Sequence, residues 1–186
     1  MTYYLGIDPD VKCMGFALWS DSYGPHWVGV AKIPTRLSKE AAVVKQAEAS
    51  AEVIRFLTTK LRFRFGGVAL ESQQKDRRVM GFDAHTSLSQ VTGAVLGSIS
   101  SEVLACPIRV VKPWEWKKSQ KKHAMQARLY TDLGWGWTKK GEGSDRFAIP
   151  TNLPQTLQGA DRLKPNDWKH TGDALLLARW AYLNIK

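Results

Sequence analysis

The opening segment constrains the fold most. Apolar runs at residues 3–7, 15–19 and 27–33 are separated by Asp8-Pro9-Asp10 and by Ser22, Tyr23, Gly24 and Pro25. Short apolar runs punctuated by turn formers pair into hairpins, so the chain is expected to begin as an antiparallel β-meander. Ser38 and Glu40 then precede Ala42, Val43, Ala47, Ala51, Ile54 and Leu57, a spacing that predicts an amphipathic helix, which Gly66-Gly67 is expected to end. Val68-Ala69-Leu70 reads as a short buried strand with Glu71 at its carboxyl end. A helix is expected over 83–104, where Gly93 and Gly97 let another backbone come close, followed by a strand at 107–111 and helices over 119–133 and 171–185.

Residues 134–168 hold Trp135, Trp137, Lys139 and Lys140 among glycines and prolines with little periodicity, and read as a long loop inside one domain spanning 1–186. The most apolar stretch, 91–111, is broken by Gly, Ser, Thr, Pro and Glu102, so no membrane span is expected. Cys13 and Cys106 stand too far apart for a ligand motif, and the first residues lack the basic lead-in of a secretory signal. A reducing, cytoplasmic compartment is therefore expected.

Lys plus Arg number 27 against 17 Asp plus Glu, a net charge of +10, which selects a polyanionic partner. Residues 109–146 hold ten basic side chains against four acidic ones. Lys112, Lys117, Lys118, Lys121, Lys122, Lys139 and Lys140 are candidate phosphate contacts, a solvated helix face being the plainer alternative. Trp114, Trp116, Trp135 and Trp137 are interleaved with them, some expected to stack on unpaired bases and others to pack in the core.

Three segments carry candidate chemistry through four polar residues. Asp8 ends the first strand, Glu71 ends the strand at 68–70, and His170 and Asp173 lie three apart at the start of the last helix, on one face of it. Taken singly, Asp8 before Pro9 is a turn residue, Glu71 a strand-end acid and Asp173 a helix-dipole partner. A phosphate hairpin of the sugar-kinase kind would need a glycine and hydroxyls after Asp8, and Asp10-Val11-Lys12-Cys13 offers neither.

In combination, Gly6-Ile7-Asp8-Pro9 with Gly15-Phe16, then Leu70-Glu71-Ser72-Gln73, then His170 and Asp173 ahead of Ala174-Leu175, resemble the motifs of the RuvC-like Holliday junction resolvases. The resemblance covers about residues 3–133 and 169–181. The chain departs from the family's pattern at Asp10, where glycine is common, at Gln74, where an aromatic is common, and in the long loop before the last helix, which hints at a phage-encoded branch.

The resemblance implies an α/β, RNase H-like fold: a five-stranded mixed sheet, its first three strands antiparallel, with helices on both faces. It implies two magnesium ions per site, with manganese able to substitute, held by Asp8, Glu71 and Asp173. Asp8 would bridge the pair, and His170 would serve as ligand, proton donor or phosphate contact. It further implies that Lys75, Arg77 and Arg78 lie near the reacting phosphate of a branched DNA, and that a homodimer makes two symmetric cuts in a four-way junction. The glycine-containing helix over 83–104 is the expected part of the dimer face. A nuclease for hybrids, flaps or forks would use the same acids, and a non-catalytic nucleic-acid-binding module would need only the basic surface.

Overall fold

The computed structural model describes residues 1–34, 36–61, 63–72, 82–102, 106–117 and 119–185. The meander forms as β1 (Tyr3–Asp8), β2 (Cys13–Ser20) and β3 (Gly24–Lys32). β1 pairs antiparallel with β2, and β2 with β3. β4 (Phe65–Glu71) and β5 (Ile108–Val111) extend the sheet on the other side of β1 in parallel, giving the order β3-β2-β1-β4-β5. This is the mixed five-stranded sheet of an RNase H-like α/β fold.

Side chains alternate across the sheet with the two-residue period of a pleated strand. Leu5, Ile7, Met14, Phe16 and Leu18 point to one face, where they pack with Ile54 and Leu57, at and just beyond the end of α1 (Lys39–Arg55), and with Val91, Val95 and Ile99 of α2 (Phe82–Glu102). Ser38 caps α1, its hydroxyl accepting from the Ala41 amide, as the sequence signals. Ala17, Trp19 and Val28 point to the other face, against Ala174, Leu175 and Ala178 of α5 (Trp168–Asn184).

α5 lies close to the sheet because two strand positions carry no side chain. A Cβ on Gly6 would overlap the Ala174 carbonyl and the Ala178 amide, and one on Gly15 the His170 carbonyl. Gly66 and Gly67, expected to end a helix, instead lie inside β4; Gly67 makes room for the Ile185 side chain and Gly66 for Thr2 and Tyr4.

The expected helix over 119–133 is present as α4 (Lys122–Asp132), and a short α3 (Pro113–Lys117) that the sequence did not signal precedes it. The stretch 134–168, expected to be a loop, carries structure. β6 (Trp137–Lys140) and β7 (Phe147–Pro150) form an antiparallel hairpin, and Trp135, Phe147, Ala148, Leu157 and Trp168 are buried against α4, α5 and β2. All four β6 residues are exposed, so the strand shows none of the alternation that marks a strand in sequence. The last helix begins at Trp168 rather than Thr171. No helix among the described residues is long and apolar enough to cross a membrane.

Candidate active site

The parallel pairing of β1 with β4 aligns Ile7 with Leu70, so both strands run out at the same edge, where Asp8 and Glu71 follow. α5 runs back along the sheet from that edge, and its second turn presents Asp173 there. Asp8, Glu71 and Asp173 are all buried, and each offers a carboxylate oxygen within 4.8 Å of the others.

Three buried carboxylates at this separation repel one another strongly, and the protein surrounds them with cations. Lys117, the last residue of α3, places Nζ 2.9 Å from Glu71 Oε1 and 3.6 Å from Asp173 Oδ2. Lys122, the first residue of α4, places Nζ 2.6 Å from Asp173 Oδ2. His170 Nδ1 lies 2.8 Å from Asp8 Oδ2 and donates to the ionised carboxylate, leaving Nε2 as the ring nitrogen not engaged by Asp8.

The electrostatics differ among the acids. Burial opposes ionisation of Asp8, but the His170 hydrogen bond, Lys122 and Lys117 together outweigh it and hold the carboxyl below its ordinary value. Burial, followed by the neighbouring charges of Asp8 and Asp173, pushes Glu71 up to about 8 despite Lys117. Burial disfavours the ammonium of Lys117 and of Lys122, yet the facing carboxylates raise both above the usual lysine value. Acids with opposed pKa shifts in one buried cluster mark a functional site more often than a structural one.

Lys117 and Lys122 were expected among the phosphate contacts of an open basic surface; they lie instead inside the acidic cluster, about four-fifths buried at their side chains. Lys112, Lys121, Lys139 and Lys140 are exposed, and Lys112 holds Nζ 4.9 Å over the Trp114 ring. Lys75, Arg77, Arg78 and Lys118 lie outside the described residues, as does Gln74. Of the interleaved tryptophans, Trp116 and Trp135 are core residues and Trp114 and Trp137 are exposed.

The sequence reading missed Gln126. This fully buried side chain donates from Nε2 to Asp173 Oδ1 at 2.8 Å, and its Oε1 accepts from the Ala148 amide at 2.9 Å. It thereby ties the third acid to the β6–β7 hairpin. The available signal was helical spacing: Lys122, Gln126 and Tyr130 fall at i, i+4 and i+8 on one face of α4, a polar stripe that would be costly to bury unless it met partners. A second tie crosses from the hairpin tip, where Asp145 pairs with Lys169 beside His170.

No protein-family model matches the chain, and no curated protein matches its sequence. Solved structures do match in fold. RuvC of T. thermophilus in complex with Holliday junction substrate is 19% identical, with a TM-score of 0.59 over 96% of this chain and 90% of that one. The chain has the RuvC fold. A second Thermus thermophilus RuvC structure is 20% identical at a TM-score of 0.58, over 95% and 91% of the two chains. The yeast mitochondrial Holliday junction resolvase Ydc2 is 12% identical at 0.51, over 97% and 78%. The fold match with the RuvC structures thus spans nearly the whole chain.

Proposed function

We propose that the protein is a metal-dependent, structure-selective endonuclease that nicks four-way (Holliday) DNA junctions by hydrolysing phosphodiester bonds, working as one nuclease domain. The observation that carries this reading is the convergence of Asp8, Glu71 and Asp173, from two strands and a helix, into one buried cluster ringed by cationic side chains. The RuvC fold and a net charge of +10 support it.

The donor set fits magnesium, with manganese as a substitute. All three groups are carboxyls, the hard oxygen ligands these ions take, and the raised Glu71 shows that the two ammonium groups leave part of the acids' mutual repulsion for a cation to relieve. Asp8, Glu71 and Asp173 would hold the ions. Bound there, the ions would stabilise the negative charge that builds on the entering and leaving oxygens as water attacks phosphorus.

The chain's own residues do the rest. Lys117 and Lys122, held beside the acids, put two ammonium groups where they would offset charge on the non-bridging oxygens of a phosphate bound there. His170, oriented through Nδ1 by Asp8, presents Nε2 as ligand, as phosphate contact or, when charged, as donor of a proton to the leaving oxygen. Gln126 fixes Asp173 in one orientation. Exposed Lys112, Lys121, Lys139 and Lys140, with Lys75, Arg77, Arg78 and Lys118, supply sequence-independent affinity for branched DNA. A homodimer makes the two symmetric cuts that resolving a junction needs, in the cytoplasm of a bacterial or phage-infected cell.

The test is a panel of four-way, flap, fork, RNA·DNA hybrid and linear substrates, assayed with and without magnesium. The reading expects magnesium-dependent nicks near the branch point of the four-way substrate. Preferential cutting of another member would redirect the substrate assignment, and no cutting of any member under any divalent ion would leave only a binding module.

A further inference from the structure

Beside the acids, α3, α4 and α5 enclose a groove of about 280 Å³. Its apolar lining comes from Trp116 of α3, Met125 of α4 and Leu176 and Trp180 of α5. Lys117, Arg128 and Arg179 bring three cationic side chains to it against one carboxylate, Asp132, which Arg179 already engages at 3.1 Å. Lys117 belongs to both places: its Nζ contacts Glu71 and sits 4.4 Å from the centre of the Trp116 ring.

On α5 the groove side is the stripe Leu176, Arg179, Trp180 and Leu183, spaced i, i+3, i+4 and i+7, so it faces one direction along the helix. Trp180 stands seven residues beyond Asp173, about 10 Å along the helix axis. The groove therefore starts at the acids and leads away from them. Leu183 is 60% exposed, an apolar group left in water at its far end.

A flat apolar body flanked by anions answers these features. We infer that the groove binds a single unpaired nucleotide of the DNA strand, its base against the half-buried Trp180 and its phosphates on Arg128 and Arg179, a few nucleotides from the phosphate held at the acids. Aromatic stacking combined with cationic phosphate contacts is how proteins hold unstacked bases without reading sequence. The charge balance disfavours an apolar peptide, and the shared Lys117 disfavours a ligand unrelated to the reaction. The inference rests on the nuclease reading and deepens it: the site would select substrates that offer an unpaired base beside the cut, as strands at a branch do.

The test is an abasic scan. Four-way DNA substrates carry a single abasic site, moved one nucleotide at a time along the strand on both sides of the cut, and are assayed for binding by anisotropy and for nicking. For the unaltered protein, one position within about three nucleotides of the cut is expected to lose about tenfold in affinity, the size of one lost base–aromatic stack. Trp180→Leu is expected to bind the intact substrate that much more weakly and to show no further loss at that abasic position. Arg128→Ala, a change on the exposed side of α4, is expected to weaken all substrates alike while keeping the abasic position sensitive.

Uniform binding across the scan overturns the inference, as does a Trp180→Leu protein that keeps the abasic loss. If Trp180→Leu changes only the oligomeric state in light scattering, the groove is a contact between copies and the inference falls. Arg128→Ala keeps the test decisive should the tryptophan variant fail to fold, because undiminished binding by it removes the phosphate contact. Anisotropy without divalent ions reads the groove even if no substrate is cut, so failure of the nuclease reading remains distinguishable.

Discussion

Replacing Gln126 with methionine isolates the link between the hairpin and the third acid. The two side chains have similar volume, so the change leaves little cavity and acts by deleting hydrogen bonds. Two bonds of good geometry are lost. The Ala148 amide is left buried without its acceptor, which costs about 1–3 kcal/mol, and the Asp173 carboxylate loses a charge-assisted bond worth about 1.5–3 kcal/mol. A weaker contact to the Lys169 carbonyl at 3.4 Å adds little. Burying a thioether in place of an amide returns part of the loss, so the net is about 2–5 kcal/mol. For a chain of 186 residues this lowers Tm by about 4–20 °C. Urea denaturation followed by far-ultraviolet circular dichroism gives the free energy directly. A change below about 1 kcal/mol would refute the reasoning, since it would mean the buried amide and carboxylate find other partners at no cost. The variant should also require more magnesium for half-maximal nicking, because Asp173 Oδ1 loses the bond that fixes it and only the lysines on Oδ2 remain.

Four other outcomes follow from the same structure. Asp8→Asn should abolish nicking while binding to junction DNA, read by gel shift, stays within about threefold; retained cleavage removes Asp8 from the chemistry. Gly6→Ala drives a methyl into the Ala174 carbonyl, a backbone atom with nowhere to move, and should destabilise the protein by about 3 kcal/mol or more in the same urea assay. Combined Lys139→Ala and Lys140→Ala should weaken binding to all DNA alike and flatten the slope of log affinity against log salt by about two, whereas an unchanged slope takes β6 off the DNA surface. Burial, aided by Asp167, pushes the Cys13 thiol up to about 12. At pH 8 its thiolate fraction is then on the order of a thousandfold below that of a free cysteine, and mass spectrometry after iodoacetamide treatment should show Cys13 unmodified until the protein is denatured.

The chain made its opening legible because the meander is local. Each strand there lies next to its sequence neighbour, alternation and turn residues mark the boundaries, and Ser38 announces the next helix within a few residues of its own cap. The same local logic failed where glycine has two uses: Gly66 and Gly67 read as a stop, yet in the fold they are the clearance that lets side chains from both termini cross β4. It failed again in the 134–168 segment, whose four-residue strands are shaped by contact with α4 and α5 rather than by a pattern of their own.

The order of motifs along the chain, through its resemblance to the RuvC-like resolvases, singled out Asp8, Glu71 and Asp173 as the candidate acids, although each taken singly is an ordinary turn, strand-end or helix-start residue. Tertiary structure alone decided which cations answer them. Lys117 and Lys122 look like any other members of a basic stretch, and Gln126 looks like an ordinary helix residue. They become part of the site only when α3 and α4 fold over the edge of the sheet, since the energy of an ion pair or a buried hydrogen bond depends on separation in space and on exclusion of water, and neither quantity is written along the chain.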